Sequence, residues 1–81
     1  MNKQELLFKI VYEYFNQYAS ATKTIKRIME NKVSLLDEKE IRKILNEQTV
    51  LWKDLIKKDN WDNKLYQNII SDTIKLLNLK K

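Results

Sequence analysis

The segment KQELLFKIVYEYFNQYASATKTIKRIME, residues 3–30, decides the fold that the sequence predicts. Apolar or small residues recur along it at alternating steps of four and three, at Leu7, Val11, Tyr14, Tyr18, Ala21, Ile25 and Ile28. Residues at those steps share one face of an α-helix. The period does not slip across the weak helix formers SATKT at residues 20–24, so it predicts one long helix over about residues 3–30. A break at SATKT is the alternative.

The second predicted helix has a clear start. Asp37 can accept hydrogen bonds from the first backbone amides, and Glu40 follows three residues later, as in a capping box. Leu36 and Ile41 flank this position with the spacing of a hydrophobic staple. A short turn, KKDN, then precedes the third predicted helix, and Asn60 is the expected cap there.

The fold class is therefore all-α. The chain has neither glycine nor proline, which mark most turns between strands. The second and third helices are expected over about residues 38–58 and 61–78, and short connections favour antiparallel neighbours. The sequence predicts a small antiparallel three-helix bundle with a long first helix, forming a single helical domain over residues 1–81.

Composition limits the possible chemistry. Among 81 residues there is no cysteine and no histidine, so the usual zinc ligands and the usual general base are missing. The absence of glycine excludes glycine-rich phosphate loops. The carboxylates of Asp37, Glu38 and Glu40 are explained by their place at a helix N-terminus. We therefore expect no enzyme activity, no metal, no cofactor and no small-molecule substrate.

The same sequence has no long apolar run and no secretory signal pattern, so no membrane span is expected and the cytoplasm is the expected compartment. Lysine, asparagine and isoleucine are abundant, and their codons are AT-rich. This composition favours a low-GC bacterium, or a phage or plasmid that lives in one.

An aromatic patch is predicted near the start of the first helix. At about 100° per residue, Phe8, Tyr12 and Phe15 fall on an arc beside the core-facing stripe. One interpretation is that the third helix covers these rings inside the monomer. The other is that they contact a partner, since clustered exposed aromatic residues are common interface anchors. A two-fold dimer through the first helix is the simplest form of that contact.

Basic residues form a second candidate surface. The formal net charge is +5, and the second predicted helix places a row of cations within one arc of about 100°. This row consists of Lys39, Arg42, Lys43, Lys53 and Lys57, and Lys23, Lys26 and Arg27 form a looser cluster on the first helix. Lysine outnumbers arginine by fourteen to two, which favours contact with phosphates over readout of bases.

Three hypotheses about function follow from these patterns. The leading one is a non-enzymatic helical protein–protein interaction module, a small regulator, inhibitor or immunity-type factor of a phage or mobile element. The second is a sequence-tolerant nucleic-acid-binding accessory protein that uses the basic row of the second helix. The third is a purely architectural subunit that dimerises or caps a larger complex.

Overall fold

The computed structural model describes residues 2–16, 19–58 and 62–78. Within these ranges the chain forms four α-helices and no strand, which confirms the all-α class. They are α1 (Lys3–Asn16), α2 (Ala21–Glu30), α3 (Glu38–Lys57) and α4 (Asn63–Leu77). The predicted count of three helices is wrong, because the expected first helix over residues 3–30 is divided into α1 and α2. The second and third predicted helices match α3 and α4 to within two residues at each end.

The break after α1 is made at Ser20, inside the SATKT stretch. Ser20 has an extended backbone (φ −67°, ψ 149°), and its side chain accepts a hydrogen bond from the backbone amide of Lys23 at 3.1 Å. A serine in this geometry is a helix N-cap, so α2 starts anew instead of continuing α1. Ile25 and Ile28 are nevertheless buried, as the seam of the continuous helix required. The apolar spacing therefore continues across the break and does not predict where α1 ends.

The four helices pack in a ring. Each helix contacts its neighbours in the chain, and α4 closes the ring by packing against α1. The Trp52 ring of α3 lies 4.8 Å from the Tyr66 ring near the start of α4, and the Ser34 hydroxyl, just before α3, donates to the Leu77 carbonyl at the end of α4. Because the start of each helix lies near the end of the other, α3 and α4 are antiparallel, as predicted.

The caps of α3 and α4 are both aspartates. The Asp37 carboxylate accepts from the backbone amide of Glu40 at 2.9 Å, which confirms the predicted cap. Asp62 accepts from the backbone amide of Lys64 at 3.0 Å and caps α4. The expected cap at Asn60 lies outside the described residues.

The core is built from side chains of all four helices and of the α2–α3 connection. Its fully buried apolar members are Leu7, Ile10, Val11, Ile28, Ile41, Leu45 and Leu77. Each such side chain contributes about 1.5–3 kcal/mol through loss of apolar surface from water. Thr73 is also fully buried, and its hydroxyl donates to the carbonyl of Ile69 one turn earlier in α4. That bond satisfies the polar atom inside the helix.

Phe15 belongs to this core, and its predicted membership of an exposed aromatic patch is wrong. Only 3% of its surface is exposed, and its ring stacks on Trp52 with the centroids 4.8 Å apart. Tyr66 meets the same tryptophan edge-on, and Tyr14 meets Phe15 edge-on at 5.0 Å. On the α1 wheel Phe15 is turned about 20° closer to the core than Phe8. This rotation, together with the large Trp52 ring on α3, buries Phe15.

α2 ends in a Schellman motif that places a lysine in left-handed backbone geometry. The amide of Lys32 donates to the Met29 carbonyl and the amide of Val33 donates to the Ile28 carbonyl, both at 3.3 Å. Lys32 has φ 53°, where glycine is the usual residue because a Cβ atom is unfavourable there. Val33 is buried, as the hydrophobic contact of this motif requires.

We expect Lys32→Gly to stabilise the protein by about 0.5–1 kcal/mol, because removal of the Cβ atom relieves the left-handed strain and only part of that gain is lost to unfolded-state entropy. Urea denaturation followed by circular dichroism measures it. Lys32→Ala is the control, since it removes the charge but keeps the Cβ atom. Equal gains in both variants would show that charge, and not backbone strain, is the cause.

An ion pair fixes α1 against α2. The Arg27 guanidinium donates to the Glu13 carboxylate at 2.5 Å, and both side chains are about two-thirds or more shielded from solvent. The hydrogen bond from Arg27, followed by the charge of Arg27 and of Lys9, lowers the pKa of Glu13 from its ordinary value of 4.5 against the opposing effect of burial. A lowered folded-state pKa means that this contact stabilises the fold above pH 4.5 and ceases to do so as pH falls through the lowered pKa.

Glu13→Gln should therefore reduce the thermal midpoint at neutral pH, and the difference from wild type should disappear below the folded-state pKa of Glu13. Thermal unfolding by circular dichroism along a pH series measures this difference. Glu30→Gln removes a carboxylate from the more exposed Lys26–Glu30 pair, whose atoms are 3.9 Å apart, and should have a much smaller effect. A Glu13→Gln deficit that persists unchanged into acid would contradict the assignment.

Candidate functional site

A groove between α1 and α4 carries exposed aromatic surface. Phe8 and Tyr12, one turn apart on α1, are 50% and 45% exposed, and their rings stack with centroids 6.0 Å apart and planes 23° apart. Gln67, Ile70 and Ser71 of α4 form the other wall of a groove of about 250 Å³. We call these five residues the aromatic groove. α4 thus lies beside the two rings without covering them.

Charged residues border the aromatic groove, with Lys64, Lys75 and the more outlying Asp72 on α4. On α4, Lys64 lies one turn before Gln67 and Lys75 lies one turn after Ser71, so both follow the same edge. Both are exposed, and neither belongs to an ion pair within the described ranges. On α1, Lys9 and Glu5 are one turn apart on the outer side and oppose each other in charge. The α4 edge therefore gives the groove its positive sign.

The basic row predicted on the second helix lies on α3, and we call it the basic stripe. Its members are Lys39, Arg42, Lys43, Lys53 and Lys57. The four lysines are exposed, while Arg42 is partly shielded and pairs with Glu38 at 3.7 Å. The core residues Ile41, Leu45 and Trp52 occupy the opposite side of α3. The structure thus brings the stripe together on one outward face.

The looser basic cluster predicted from Lys23, Lys26 and Arg27 is not one outward surface. Arg27 points to α1 and is engaged by Glu13, while Lys26 pairs with Glu30 on its own helix. Lys23 remains exposed in the first turn of α2. The helical wheel places the three side chains on one arc, but α1 packs beside α2 and Arg27 turns toward Glu13 of α1.

Sequence reasoning missed the α4 side of the aromatic groove. Gln67 and Ser71 are polar and one turn apart, and they adjoin the buried Ile70. This pattern is that of an ordinary helix flank. Only the packing of α4 against α1 makes that flank one wall of a groove.

Phe15→Ala should cost about 3–5 kcal/mol of the free energy of unfolding, because it leaves a cavity against Trp52 in a close-packed core. Phe8→Ala should cost less than about 1 kcal/mol, since half of that ring already contacts water. Urea denaturation followed by tryptophan fluorescence and circular dichroism distinguishes them. Equal losses would mean that Phe8 is as much a core residue as Phe15.

In the three described ranges no group of three or more acidic, histidine or cysteine side chains is placed to hold a metal ion, and no helix is long and apolar enough to cross a membrane. Comparison of the chain with protein-family models, with curated proteins and with solved structures finds no match.

Proposed function

We propose that this protein is a non-enzymatic interaction module that binds an acidic amphipathic helix of a partner protein in the aromatic groove. The observation that carries the proposal is the stacked pair of Phe8 and Tyr12, both about half exposed beside the packed α1–α4 interface. Aromatic side chains that a partner can fully bury are the usual anchors of protein interfaces.

The exposed ring surface can anchor part of an interface. An aromatic side chain has about 150–250 Å² to bury, so roughly 100 Å² of each ring is available to a partner. At about 25 cal/mol per Å² this amounts to roughly 2.5 kcal/mol for each ring before the costs of association. The two rings are already ordered by their contact with each other, so little side-chain entropy is lost when they are covered.

The shape of the groove favours a helix as the bound segment. The groove lies between two packed helices, and a third helix can place its apolar face along such a surface. Apolar residues at steps of three and four on the incoming helix would contact Phe8 and Tyr12 in turn. The polar walls at Gln67 and Ser71 would remain at the edge of the contact.

Charge favours an acidic partner over a second copy of this chain. Lys64 and Lys75 border the groove without ion-pair partners among the described residues, and glutamates or aspartates on a bound helix would supply them. Two copies joined through this groove would bring the same lysines and two net charges of +5 together. Like charges in an interface disfavour that assembly.

The lack of histidine, cysteine and glycine supports a binding role over catalysis. We propose a small regulator, inhibitor or immunity-type factor of a phage or mobile element, acting in the cytoplasm of a low-GC bacterium. The AT-rich codon preference implied by the composition supports that setting. Such a factor would act by covering a helix that its target needs for another contact.

The test is binding of a labelled synthetic helix that has leucines at steps of four and three on one face and glutamates on the flanks. Fluorescence anisotropy should show that Phe8→Ser/Tyr12→Ser weakens binding by at least roughly tenfold, as expected from the loss of two anchors. Lys64→Gln/Lys75→Gln should weaken it less and reduce its salt dependence. Circular dichroism verifies that each variant is folded.

The matched control is Val50→Ser/Leu51→Ser, which removes two apolar residues that are 67% and 51% exposed on α3. It should leave the peptide affinity unchanged, and the same peptide with lysines in place of glutamates should bind weakly. Equal weakening by the control pair would overturn the groove assignment. A wild-type dimer in light scattering that Phe8→Ser/Tyr12→Ser converts to a folded monomer would instead assign the groove to self-association.

A further inference from the structure

We propose that the basic stripe of α3 is a second, independent site that binds the phosphate backbone of duplex nucleic acid without reading its sequence. The stripe lies on the outward side of α3, whereas the aromatic groove lies between α1 and α4. α1 and α3 occupy opposite positions in the ring of helices, so the two sites are on different faces. This inference does not rest on the proposed function.

The basic stripe places five cations on one arc of α3, and the acidic residues Glu40, Glu47 and Asp54 lie on the adjoining arc. Within the described ranges, Lys39, Lys43, Lys53 and Lys57 form no ion pair. The neighbouring Asp54 carboxylate is engaged by Lys58 at 3.0 Å. The field of the stripe is therefore directed to solvent, where it attracts a polyanion.

The spacing of the lysines suits an extended polyanion. Lys39 and Lys43 form a pair at one end of α3, and Lys53 and Lys57 form a pair at the other end. At 1.5 Å per residue the centres of the two pairs are about 21 Å apart along the helix. A duplex carries about one phosphate charge per 1.7 Å of its axis, so a row of this length can contact several phosphates of one duplex.

The residues between the two pairs favour contact with the backbone over contact with bases. Asn46 and Val50 lie on the same arc, and no aromatic ring lies there to stack an unpaired base. Arg42, the one arginine of the stripe, is paired with Glu38. Bidentate readout of guanine is a property of guanidinium groups, and the other four cations of the stripe are lysines, so this face favours backbone contact over base readout.

An acidic protein is a weaker match to the basic stripe. Protein interfaces depend on a dry, well-packed centre with large anchors, and here the only apolar side chain on the arc between the lysine pairs is Val50. Binding to a nucleic-acid backbone needs no such centre, because its free energy comes largely from release of counterions. Four exposed lysines in a row meet that requirement.

The experiment is anisotropy titration of a labelled mixed-sequence duplex of about 20 base pairs, at several salt concentrations between about 50 and 200 mM. Four phosphate contacts predict a slope of about −4 in the plot of log affinity against log salt. Lys53→Gln/Lys57→Gln should reduce the magnitude of that slope by about 2 and weaken binding roughly tenfold at the lowest salt. A second duplex of unrelated sequence should bind with equal affinity.

The matched control is Lys64→Gln/Lys75→Gln, which removes the same charge from α4 and should leave duplex binding nearly unchanged. Equal weakening by both pairs would overturn the site in favour of a general effect of net charge. Tighter binding to a single strand of the same length, or a strong preference between the two duplexes, would overturn the mode of recognition. Tighter binding of polyglutamate than of the duplex, at an equal charge concentration, would show that the stripe is a site for acidic proteins.

Discussion

The contact between Phe15 and Trp52 is the interaction on which the arrangement of the helices depends. α1 and α3 lie on opposite sides of the ring, and the stacked rings span the core between them. Tyr66 of α4 meets the same tryptophan edge-on. The hydroxyl of Tyr14 forms a hydrogen bond of 2.7 Å with the hydroxyl of Thr49 on α3. Stacked and edge-on aromatic pairs add to the free energy gained from burial alone. The cluster thus fixes both lateral position and rotation of α1.

Rotation of α1 in turn determines which of its aromatic residues face the solvent. Once Phe15 is seated on Trp52, Phe8 and Tyr12 lie just outside the α1–α4 contact, about half exposed. The Glu13–Arg27 pair holds the opposite flank of α1 against α2. The aromatic groove is therefore a consequence of how α1 is anchored. The basic stripe follows from the same packing, because the core side of α3 faces the aromatic cluster and its other side faces solvent. One core arrangement presents both surfaces.

The sequence predicted the helical class, the extent of α3 and α4 and the Asp37 cap, because these depend on local period and local hydrogen bonds. It did not predict the end of α1. Apolar steps of four and three continue through Ser20, so the spacing fits both a straight helix and a helix pair, and Ser20 decides between them by capping. The sequence also grouped Phe15 with Phe8, because a helical wheel gives the angle of each residue around one helix and contains no information about the Trp52 ring on another helix. The basic stripe lies on a single helix, so its residues share one face of α3 whichever elements pack around it.

The bond between Ser34 and the Leu77 carbonyl, together with the packing of α4 on both α1 and α3, has a consequence for biosynthesis. α4 is the last of the four helices to be made, and the first three cannot form a closed ring without it. Until α4 has left the ribosome, Trp52 lacks Tyr66, and the sides of α1 and α3 that α4 covers stay open to solvent. Folding of the nascent chain is then completed in one late step. During that interval a chaperone would meet the aromatic cluster as exposed surface, whereas in the completed ring Phe15 and Trp52 are buried.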